Sequence, residues 1–246
     1  MNIALIGYGK MGQIIEKIAI DRNHEIVLII DENNRDSVTI EDLQKADIAI
    51  DFSTPHGVLD NIDFCMQAEV PVVVGTTGWY NQLDVIRERC ETGGHTLMYG
   101  SNFSIGVNVF FHINKLLAKA MNPYKQYEVQ VEEIHHTQKL DAPSGTAITI
   151  AEGILENLDS KVNWVNNVVG ESDESVPKHN ELLIESHRLE DVPGTHTVLY
   201  SSEVDQIEFK HTAHSRSGFA LGAVIAAEWL ADNPGFHNVK DMFQFN

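Results

Sequence analysis

Residues 132–147 concentrate side chains that can move protons and bind anions, and they read EEIHHTQKLDAPSGTA. The adjacent histidines His135 and His136 can exchange protons near neutral pH. Lys139 adds a mobile cation three positions later. This combination suits a small dianionic or dicarboxylate substrate that has to be reduced and protonated, so we expect proton transfer chemistry at this stretch.

The same residues also admit structural interpretations. Residues 127–134 alternate like a strand, and neighbouring side chains of a strand point to opposite faces, so at most one of the two histidines would face a site. A histidine pair can also be structural or part of a metal site, and Lys139 can be a surface charge. Asp141 and Pro143 can simply shape the turn.

The end of this stretch predicts the start of a helix. Ser144 is a natural N-cap residue for a helix running through about Leu158. Gly145 and Thr146 would then present backbone N–H groups at a helix N-terminus, where a carboxylate binds well. We therefore expect the anionic substrate to contact this turn.

A second motif opens the chain, between an apolar strand at residues 2–6 and a helical pattern. Its six residues are Gly7, Tyr8, Gly9, Lys10, Met11 and Gly12. In a G-x-G-x-x-G turn the first glycine permits a tight turn, the second lets a pyrophosphate approach the backbone, and the third lets helix and strand pack closely. A second strand at residues 25–30 ends at Asp31. The arrangement predicts a dinucleotide site, although three glycines alone could merely form a turn.

The acidic strand end bears on the choice of cofactor. Asp31 should accept hydrogen bonds from the adenosine ribose and repel a 2′-phosphate, and Glu32 adds to that repulsion. Arg35 could reach a phosphate or could be a solvated loop charge. We predict that NADH is preferred and that NADPH is usable.

Strands and helices alternate as far as residue 103, which predicts a parallel, doubly wound sheet. Small polar groups follow successive strands, at the edge where such sheets bind ligands. The two later groups are Gly75, Thr76 and Thr77, and Gly100, Ser101, Asn102 and Phe103.

The second half has a different pattern. Extended segments are predicted at 127–134, 181–185, 196–201 and 206–211, with few strong helices between them, which indicates a mixed or antiparallel sheet. An acidic connector is predicted at residues 170–178. The fold class is therefore α/β: a Rossmann-type parallel sheet domain plus a second α+β domain with a mixed or antiparallel sheet.

The domain division follows from this change of pattern. Residues 1–103 form the expected dinucleotide-binding domain, completed by 216–246, where an apolar helix is predicted at 219–230. Residues 104–215 form the expected substrate-binding domain.

Composition excludes several other classes. The 246 residues carry a net charge of −19, which disfavours nucleic-acid binding because that binding depends on Lys and Arg neutralising phosphates. Cys65 and Cys90 are far apart and outside any CxxC pattern, so we expect neither a zinc site nor a disulfide, and a reducing cytoplasm is the simplest compartment. No apolar run reaches about 18 residues, so no membrane span is predicted.

The motifs together resemble one known family. Residues 132–147 are similar to the signature E-x-H-H-x-x-K-x-D-A-P-S-G-T of the 4-hydroxy-tetrahydrodipicolinate reductase (dihydrodipicolinate reductase) family of bacterial lysine and diaminopimelate biosynthesis. The N-terminal glycines and the segments 51–53, 75–78 and 102–107 fit in the same order along the chain. The resemblance implies that NAD(P)H reduces a dehydrated form of 4-hydroxy-tetrahydrodipicolinate to tetrahydrodipicolinate.

The resemblance also implies residue roles and an assembly. His135 matches the general acid, Lys139 a proton donor that also binds a substrate carboxylate, and His136, Gly145 and Thr146 the substrate-binding positions. Cofactor positions fall on Gly7 through Gly12, Asp31, Gly75 through Thr77, and Gly100 through Phe103, with no metal. A homotetramer held by the second domain's sheet is implied.

Three departures from the family pattern stand out. Glu32 replaces an arginine common in the family, which argues against efficient NADPH use. Thr137 and Gln138 replace basic residues, so the pocket is less positive. Residues 188–196 differ from the usual glycine-rich turn. Two rival interpretations remain, a related oxidoreductase resembling aspartate dehydrogenase and a non-catalytic nucleotide sensor.

Overall fold

The computed structural model of the protein describes residues 1–170 and 176–245. It divides into two compact units, one formed by Met1–Ile105 with Arg216–Asn246 and one by Gly106–Ser215. Most of the predicted acidic connector, residues 171–175, lies outside the described part of the chain.

Eleven strands are present in the described residues. In chain order they are β1 (Asn2–Ile6), β2 (Glu25–Ile30), β3 (Ile48–Asp51), β4 (Val72–Val74), β5 (Leu97–Tyr99), β6 (Glu128–His135), β7 (Asn163–Val168), β8 (Glu181–Arg188), β9 (Gly194–Ser201), β10 (Gln206–Ala213) and β11 (Phe236–Asn238).

Seven α-helices accompany them over the same residues. They are α1 (Lys10–Asp21), α2 (Ile40–Leu43), α3 (Val58–Ala68), α4 (Leu83–Gly93), α5 (Ile105–Met121), α6 (Gly145–Leu155) and α7 (Ser217–Asp232). Single turns of 3₁₀ helix lie at Arg35–Ser37, Tyr80–Gln82 and Val239–Met242.

The first unit is built on a six-stranded sheet in the order β11-β5-β4-β3-β1-β2. Every pairing in it is parallel, which confirms the prediction. Alternate residues of β1 belong to two different apolar clusters. Ile3 and Leu5 pack in one cluster, and Ala4 and Ile6 pack in the other. The strands read as continuous apolar runs because both faces of the sheet are covered by helices.

Helix α7 belongs to the first unit. Its buried residues, among them Ala223 and Ala227, join the apolar cluster that contains Ile3, Leu5 and Ile15 of α1. Gly222 permits the close approach, because a Cβ there would lie 1.7 Å from the Phe103 carbonyl oxygen. The α7 helix thus packs directly against the chain that follows β5.

The second unit contains a five-stranded sheet in the order β10-β9-β6-β8-β7. The pairs β10–β9 and β9–β6 are antiparallel, whereas β6–β8 and β8–β7 are parallel, so the predicted mixed sheet is confirmed. Helices α5 and α6 pack on one face, where Val129 and Val131 of β6 are buried with Ile150 and Ile154 of α6. Because side chains alternate along β6, Glu133 and His135 follow the valines onto that same face.

Several predicted bounds shift. The helix starting after Ser144 ends at Leu155, three residues before the predicted Leu158. The segment predicted at 127–134 becomes β6 and runs through His135. Strands β7 and β11 were not predicted, and β11 extends the first sheet beside β5.

Candidate active site

The glycine turn after β1 is set by close packing. Gly7 has a φ of +91°, and a Cβ there would lie 2.3 Å from the Phe52 carbonyl oxygen. A Cβ on Gly12 would lie 2.3 Å from the carbonyl oxygen of Gly7. Both positions therefore require glycine for the turn and for helix packing, as the motif predicts.

The start of α1 fits a pyrophosphate. Gly9 is its N-cap residue and has no side chain to satisfy the first N–H groups of the helix, and no acidic residue lies in the first turn. A Cβ on Gly9 would meet no atom within 4 Å, so the backbone here is open. Uncapped N–H groups and the helix dipole together favour an anion at this point.

A cavity of about 580 Å³ adjoins this turn. Four of the predicted cofactor residues line it, namely Gly7, Tyr8, Gly9 and Asp31. One oxygen of Asp31 accepts the Asn33 backbone N–H at 2.8 Å, which fixes the carboxylate at the end of β2. The donor set and the volume both fit the nucleotide half of a nicotinamide cofactor.

Arg35 also lines this cavity. Its guanidinium carbon lies 4.2 Å from the centre of the Phe64 ring, and its Nε donates to Asn61 Oδ1 at 3.3 Å. Both contacts hold the side chain half-buried in one orientation. These contacts favour the interpretation in which Arg35 reaches a phosphate, which stays a prediction.

A buried carboxylate lies beneath the same cavity, and sequence reasoning did not assign it a role. Asp51 is fully buried and accepts hydrogen bonds from Asn61 Nδ2 at 2.8 Å, from the Ser53 hydroxyl at 3.0 Å and from the Thr76 hydroxyl. Burial raises the pKa of Asp51, although these donors oppose the rise. Because Asn61 donates to Asp51, its amide oxygen is left facing Arg35.

The other predicted cofactor residues divide by exposure. Lys10, Thr77 and Ser101 are exposed. The side chains of Thr76 and Phe103 are buried, so these two residues can offer a cofactor only their backbone atoms.

The other predicted cofactor residues pack against the protein. Gly75 and Gly100 follow β4 and β5 at adjacent strand ends and pack closely on neighbouring side chains. The remaining members of the set are Met11, which packs against the apolar cluster of β1, and Asn102, whose side chain accepts the Ser104 N–H at 2.9 Å.

In the second unit, the predicted site residues gather around a residue outside the predicted set. The Glu133 carboxylate is fully buried and accepts the Ser144 N–H at 3.1 Å on both oxygens and the Ser186 hydroxyl at 2.8 Å. The Arg188 guanidinium lies 3.4 Å from Oε1. Burial by itself raises the pKa of Glu133, but its interactions with His135, Ser144 and Ser186 outweigh burial and hold the pKa well below its ordinary value.

His135 is the last residue of β6 and lies against this carboxylate. Its Nδ1 is 3.3 Å from Glu133 Oε2, and the ring is buried. His136 lies just beyond the strand, so strand alternation does not decide its direction. The His136 side chain is half-buried, and its Nδ1 has no hydrogen-bond partner within residues 1–170 and 176–245.

Lys139 and Asp141 form an ion pair on the loop before α6. The Lys139 ammonium contacts both oxygens of Asp141 at 2.9 Å, which lowers the pKa of Asp141. Asp141 thus does more than shape the turn. Arg188 holds the same loop by donating to the Asp141 carbonyl oxygen at 2.7 Å, so a β8 residue positions the loop that carries Lys139.

The predicted helix start is present. The Ser144 hydroxyl accepts the Ala147 N–H at 3.1 Å and caps α6. Gly145 is exposed, and a Cβ on it would meet no atom within 4 Å. The first turn of α6 therefore presents the N–H groups of Gly145 and Thr146 on an open surface, which suits a carboxylate.

His196 completes the cluster, and sequence reasoning did not select it. Its Nε2 lies 3.2 Å from the Ser144 hydroxyl and 3.8 Å from Glu133 Oε2. Burial lowers the pKa of His196 to about 3, and the neighbouring His135 adds to the effect. His196 is the last residue of the segment 188–196, whose sequence departs from the family pattern, and its contacts connect that segment to Ser144 and Glu133.

Glu133, His135 and His196 lie close enough to hold a metal ion, with ligand atoms within 4.8 Å of one another. The carboxylate, however, already accepts the Ser144 N–H, shared between both oxygens, and the Ser186 hydroxyl, and it lies beside the Arg188 cation. A divalent cation would have to displace these donors and face that charge. The donor set therefore fits proton chemistry better than metal binding.

A dinucleotide-binding parallel sheet, joined to a second unit with a histidine-rich polar cluster, defines a nicotinamide-dependent oxidoreductase. Family models described as dihydrodipicolinate reductase N-terminus and C-terminus match residues 1–103 and 106–243. The chain belongs to the dihydrodipicolinate reductase family.

Similar proteins agree with this placement. The chain is 49% identical to a 4-hydroxy-tetrahydrodipicolinate reductase of Christiangramia forsetii, over 98% of this chain and 97% of that protein. It is 34% identical to the protein of that name from Methanosarcina barkeri, over 98% of both chains. A dipicolinate-bound dihydrodipicolinate reductase from a Paenisporosarcina species superposes with a TM-score of 0.77 at 25% identity, over 99% of this chain and 100% of that one.

Within the described ranges, no helix combines the length and the apolar content that crossing a bilayer requires.

Proposed function

We propose that the protein catalyses the NAD(P)H-dependent reduction of 4-hydroxy-tetrahydrodipicolinate to tetrahydrodipicolinate. In this reaction the substrate loses one water, and a hydride from the cofactor and a proton then add to the dehydrated ring. The observation that carries the proposal is the convergence of His135, Lys139 and the start of α6 at one end of the second sheet. The relatives that bear the name of this enzyme support the same substrate.

The cofactor would be held by the first unit. The start of α1 would bind the pyrophosphate through Gly9 and Lys10, and Asp31 would accept hydrogen bonds from the adenosine ribose. Gly75 through Thr77 and Gly100 through Phe103 lie at the carboxyl ends of β4 and β5, the edge where such sheets bind ligands. When bound, the dihydronicotinamide supplies the hydride.

The second unit would bind the substrate and supply the proton. His135 donates the proton as general acid. Lys139 exchanges its Asp141 partner for a substrate carboxylate, a small cost because ion pairs with an exposed partner contribute little stability. The N–H groups of Gly145 and Thr146 hold the second carboxylate, and His136 contacts the substrate beside them.

For the cofactor we propose that NADH is preferred and that NADPH is usable. Asp31 and Glu32 both line the cavity and oppose a 2′-phosphate by charge. Arg35 lines the same cavity and is held in place by Phe64 and Asn61. We propose that its guanidinium offsets part of that repulsion, which leaves NADPH binding weakened but not abolished.

A homotetramer is the assembly we propose. Helices α5 and α6 cover one face of the second sheet, while half-buried apolar residues lie on the other, among them Ile134, Leu183 and Leu199. Such a sheet face suits an interface between copies. Sedimentation velocity should give a species of four subunits, and a monomer at micromolar concentration would contradict the proposal.

We place the reaction in the cytoplasm, where the cofactor is reduced and recycled. The two cysteines, Cys65 and Cys90, are buried and unpaired, which suits a reducing compartment.

A coupled assay tests the activity. The substrate is generated in situ by the enzyme of the preceding biosynthetic step, which condenses pyruvate with aspartate semialdehyde. Oxidation of NADH and of NADPH is then followed separately. We expect turnover with both cofactors, with the higher kcat/KM for NADH. The same assay with oxaloacetate and ammonia tests the aspartate dehydrogenase alternative, and cofactor binding without turnover on either substrate would favour a nucleotide sensor.

A further inference from the structure

Glu133 stands out in the second unit as a fully buried carboxylate among groups that the proposed reaction uses. It joins three elements, since it lies on β6 and interacts with Ser144 at the start of α6 and with Ser186 and Arg188 of β8. Burying a carboxylate destabilises a protein unless the group is paired and hydrogen-bonded. A purely apolar residue would fill the same position without that cost, which calls for a reason to place a charge there.

The position of His135 gives a reason for a charge at Glu133. The Nδ1 atom is buried and makes no regular hydrogen bond among the described residues, while Glu133 Oε2 lies 3.3 Å away, within reach of it. A buried N–H without an acceptor destabilises the folded protein. The carboxylate therefore favours the ring form that keeps its proton on Nδ1.

The other ring nitrogen has a different environment. Nε2 lies beside Gly194, where a Cβ would come within 3.1 Å of it. Gly194 has a φ of +156° and no side chain, so the ring can pack closely against the main chain at that position, and Nε2 accepts or donates no hydrogen bond among the described residues. One nitrogen of His135 thus lies beside a fixed acceptor, and the other has no acceptor among the described residues.

We infer that Glu133 is a positioning residue that keeps one proton on Nδ1 of His135, so that Nε2 is the nitrogen that delivers the proton to the substrate. The same carboxylate receives the Ser144 N–H and so fixes the first turn of α6, where the substrate carboxylate binds. Glu133 thereby sets the proton donor and the anion site relative to each other. The inference rests on the proposed function of His135 and of α6.

The test compares Glu133→Gln with Glu132→Gln. Glu132 is the adjacent carboxylate of β6, is partly exposed, and pairs with His187 at 3.3 Å on the opposite face of the sheet. In Glu133→Gln the amide can present an N–H to Nδ1, which favours the ring form with its proton on Nε2. We expect kcat to fall at least about tenfold, as when the partner of a catalytic histidine loses its charge, with NADH affinity unchanged. Glu132→Gln should keep the wild-type kcat.

A spectroscopic readout separates positioning from a structural role. In ¹⁵N-labelled protein, the side-chain nitrogen shifts of a neutral histidine distinguish a proton on Nδ1 from one on Nε2, and the His135 signals are those lost in His135→Ala. We expect neutral His135 in the wild type to carry its proton on Nδ1 and to change to Nε2 in Glu133→Gln. A folded Glu133→Gln protein with wild-type kcat, or with the proton still on Nδ1, overturns the inference.

The wild-type protein alone also provides a decisive measurement. If neutral His135 in the wild type carries its proton on Nε2, the inference fails even if Glu133→Gln does not fold. This readout requires no substrate. Absence of substrate turnover by the wild type would refute the proposed function, whereas the position of the ring proton reports only on the Glu133–His135 contact.

Discussion

The cofactor edge of the first sheet is made mostly of main chain, whereas the cluster around Glu133 in the second unit is made of side chains. At the first, Gly7 and Gly12 shape the turn, and the N–H groups after Gly9 are the binding groups. At the second, β6, β8 and β9 each contribute side chains, and Ser144, the N-cap residue of α6, contributes its hydroxyl and its N–H. The first site forms because its residues are small enough for the cofactor to approach the main chain. The second forms because the fold brings charged side chains from distant positions into contact.

The largest expected effect is at the side-chain site. His135→Ala removes the proposed proton donor, so kcat should fall by roughly a hundredfold or more, the usual scale for a lost general acid. NADH affinity, measured by fluorescence titration, should remain that of the wild type because the cofactor residues lie in the other unit. Unchanged turnover would remove His135 from the mechanism.

At the main-chain site, adding a single methyl group at Gly9 should weaken NADH binding. A Cβ on Gly9 meets no protein atom within 4 Å, so Gly9→Ala should keep the wild-type melting temperature. The methyl group would, however, occupy the approach of the pyrophosphate, and the Kd for NADH should rise about tenfold or more.

Gly7→Ala is the matched comparison. Its Cβ would lie 2.3 Å from the Phe52 carbonyl oxygen, at a φ of +91°. This variant should therefore lose both stability and NADH affinity. If Gly9→Ala binds NADH as tightly as the wild type, the main chain at that position does not approach the cofactor.

The two kinds of site also differ in how far the sequence predicts them. The glycine turn follows from local spacing, because Gly7, Gly9 and Gly12 act through neighbouring residues. The capped start of α6 was equally predictable, since Ser144 acts on Ala147. Parallel and mixed sheets followed from the pattern of elements.

The partners of Glu133 were not predictable in this way. Ser186 and Arg188 are more than fifty positions along the chain from Glu133, and only the pairing of β6 with β8 brings them together. Strand β7 was missed because its sequence, NWVNNV, is rich in asparagine, which is uncommon in strands. Strand β11 was missed because it has only three residues, too few for an alternating pattern to be recognised.

A smaller effect is expected at Arg35, a side chain that supplements the main-chain site. Arg35→Gln removes the cation held over Phe64, so kcat/KM for NADPH should fall about tenfold, the scale of one charge-assisted contact to phosphate. The value for NADH should change less than about twofold. Arg89→Gln, which breaks an exposed pair with Asp63 in the same unit, is the control. Equal losses with both cofactors would mean that Arg35 shapes the cavity and does not distinguish the phosphate.

The smallest effect concerns stability, and we expect it at His196 in the side-chain site. Burial lowers the pKa of His196 to about 3, from an ordinary value of 6.5. Between these values the unfolded chain binds a proton that the folded protein does not, so the folded state loses stability as the pH falls from about 6.5 towards 3. The slope from one such group is at most about 1.4 kcal/mol per pH unit.

Comparison of variants isolates this slope between pH 6.5 and 5, because other groups with shifted pKa values, such as His211 and Asp51, contribute equally to each protein. Chemical denaturation at fixed protein concentration should show the free energy of unfolding decreasing with pH over this interval in the wild type. In His196→Gln the decrease should become smaller, whereas the exposed His179→Gln should retain it. An identical slope in all three proteins would mean that His196 does not stay neutral in the folded state, and that the polar cluster tolerates a second cation beside the partly buried Arg188.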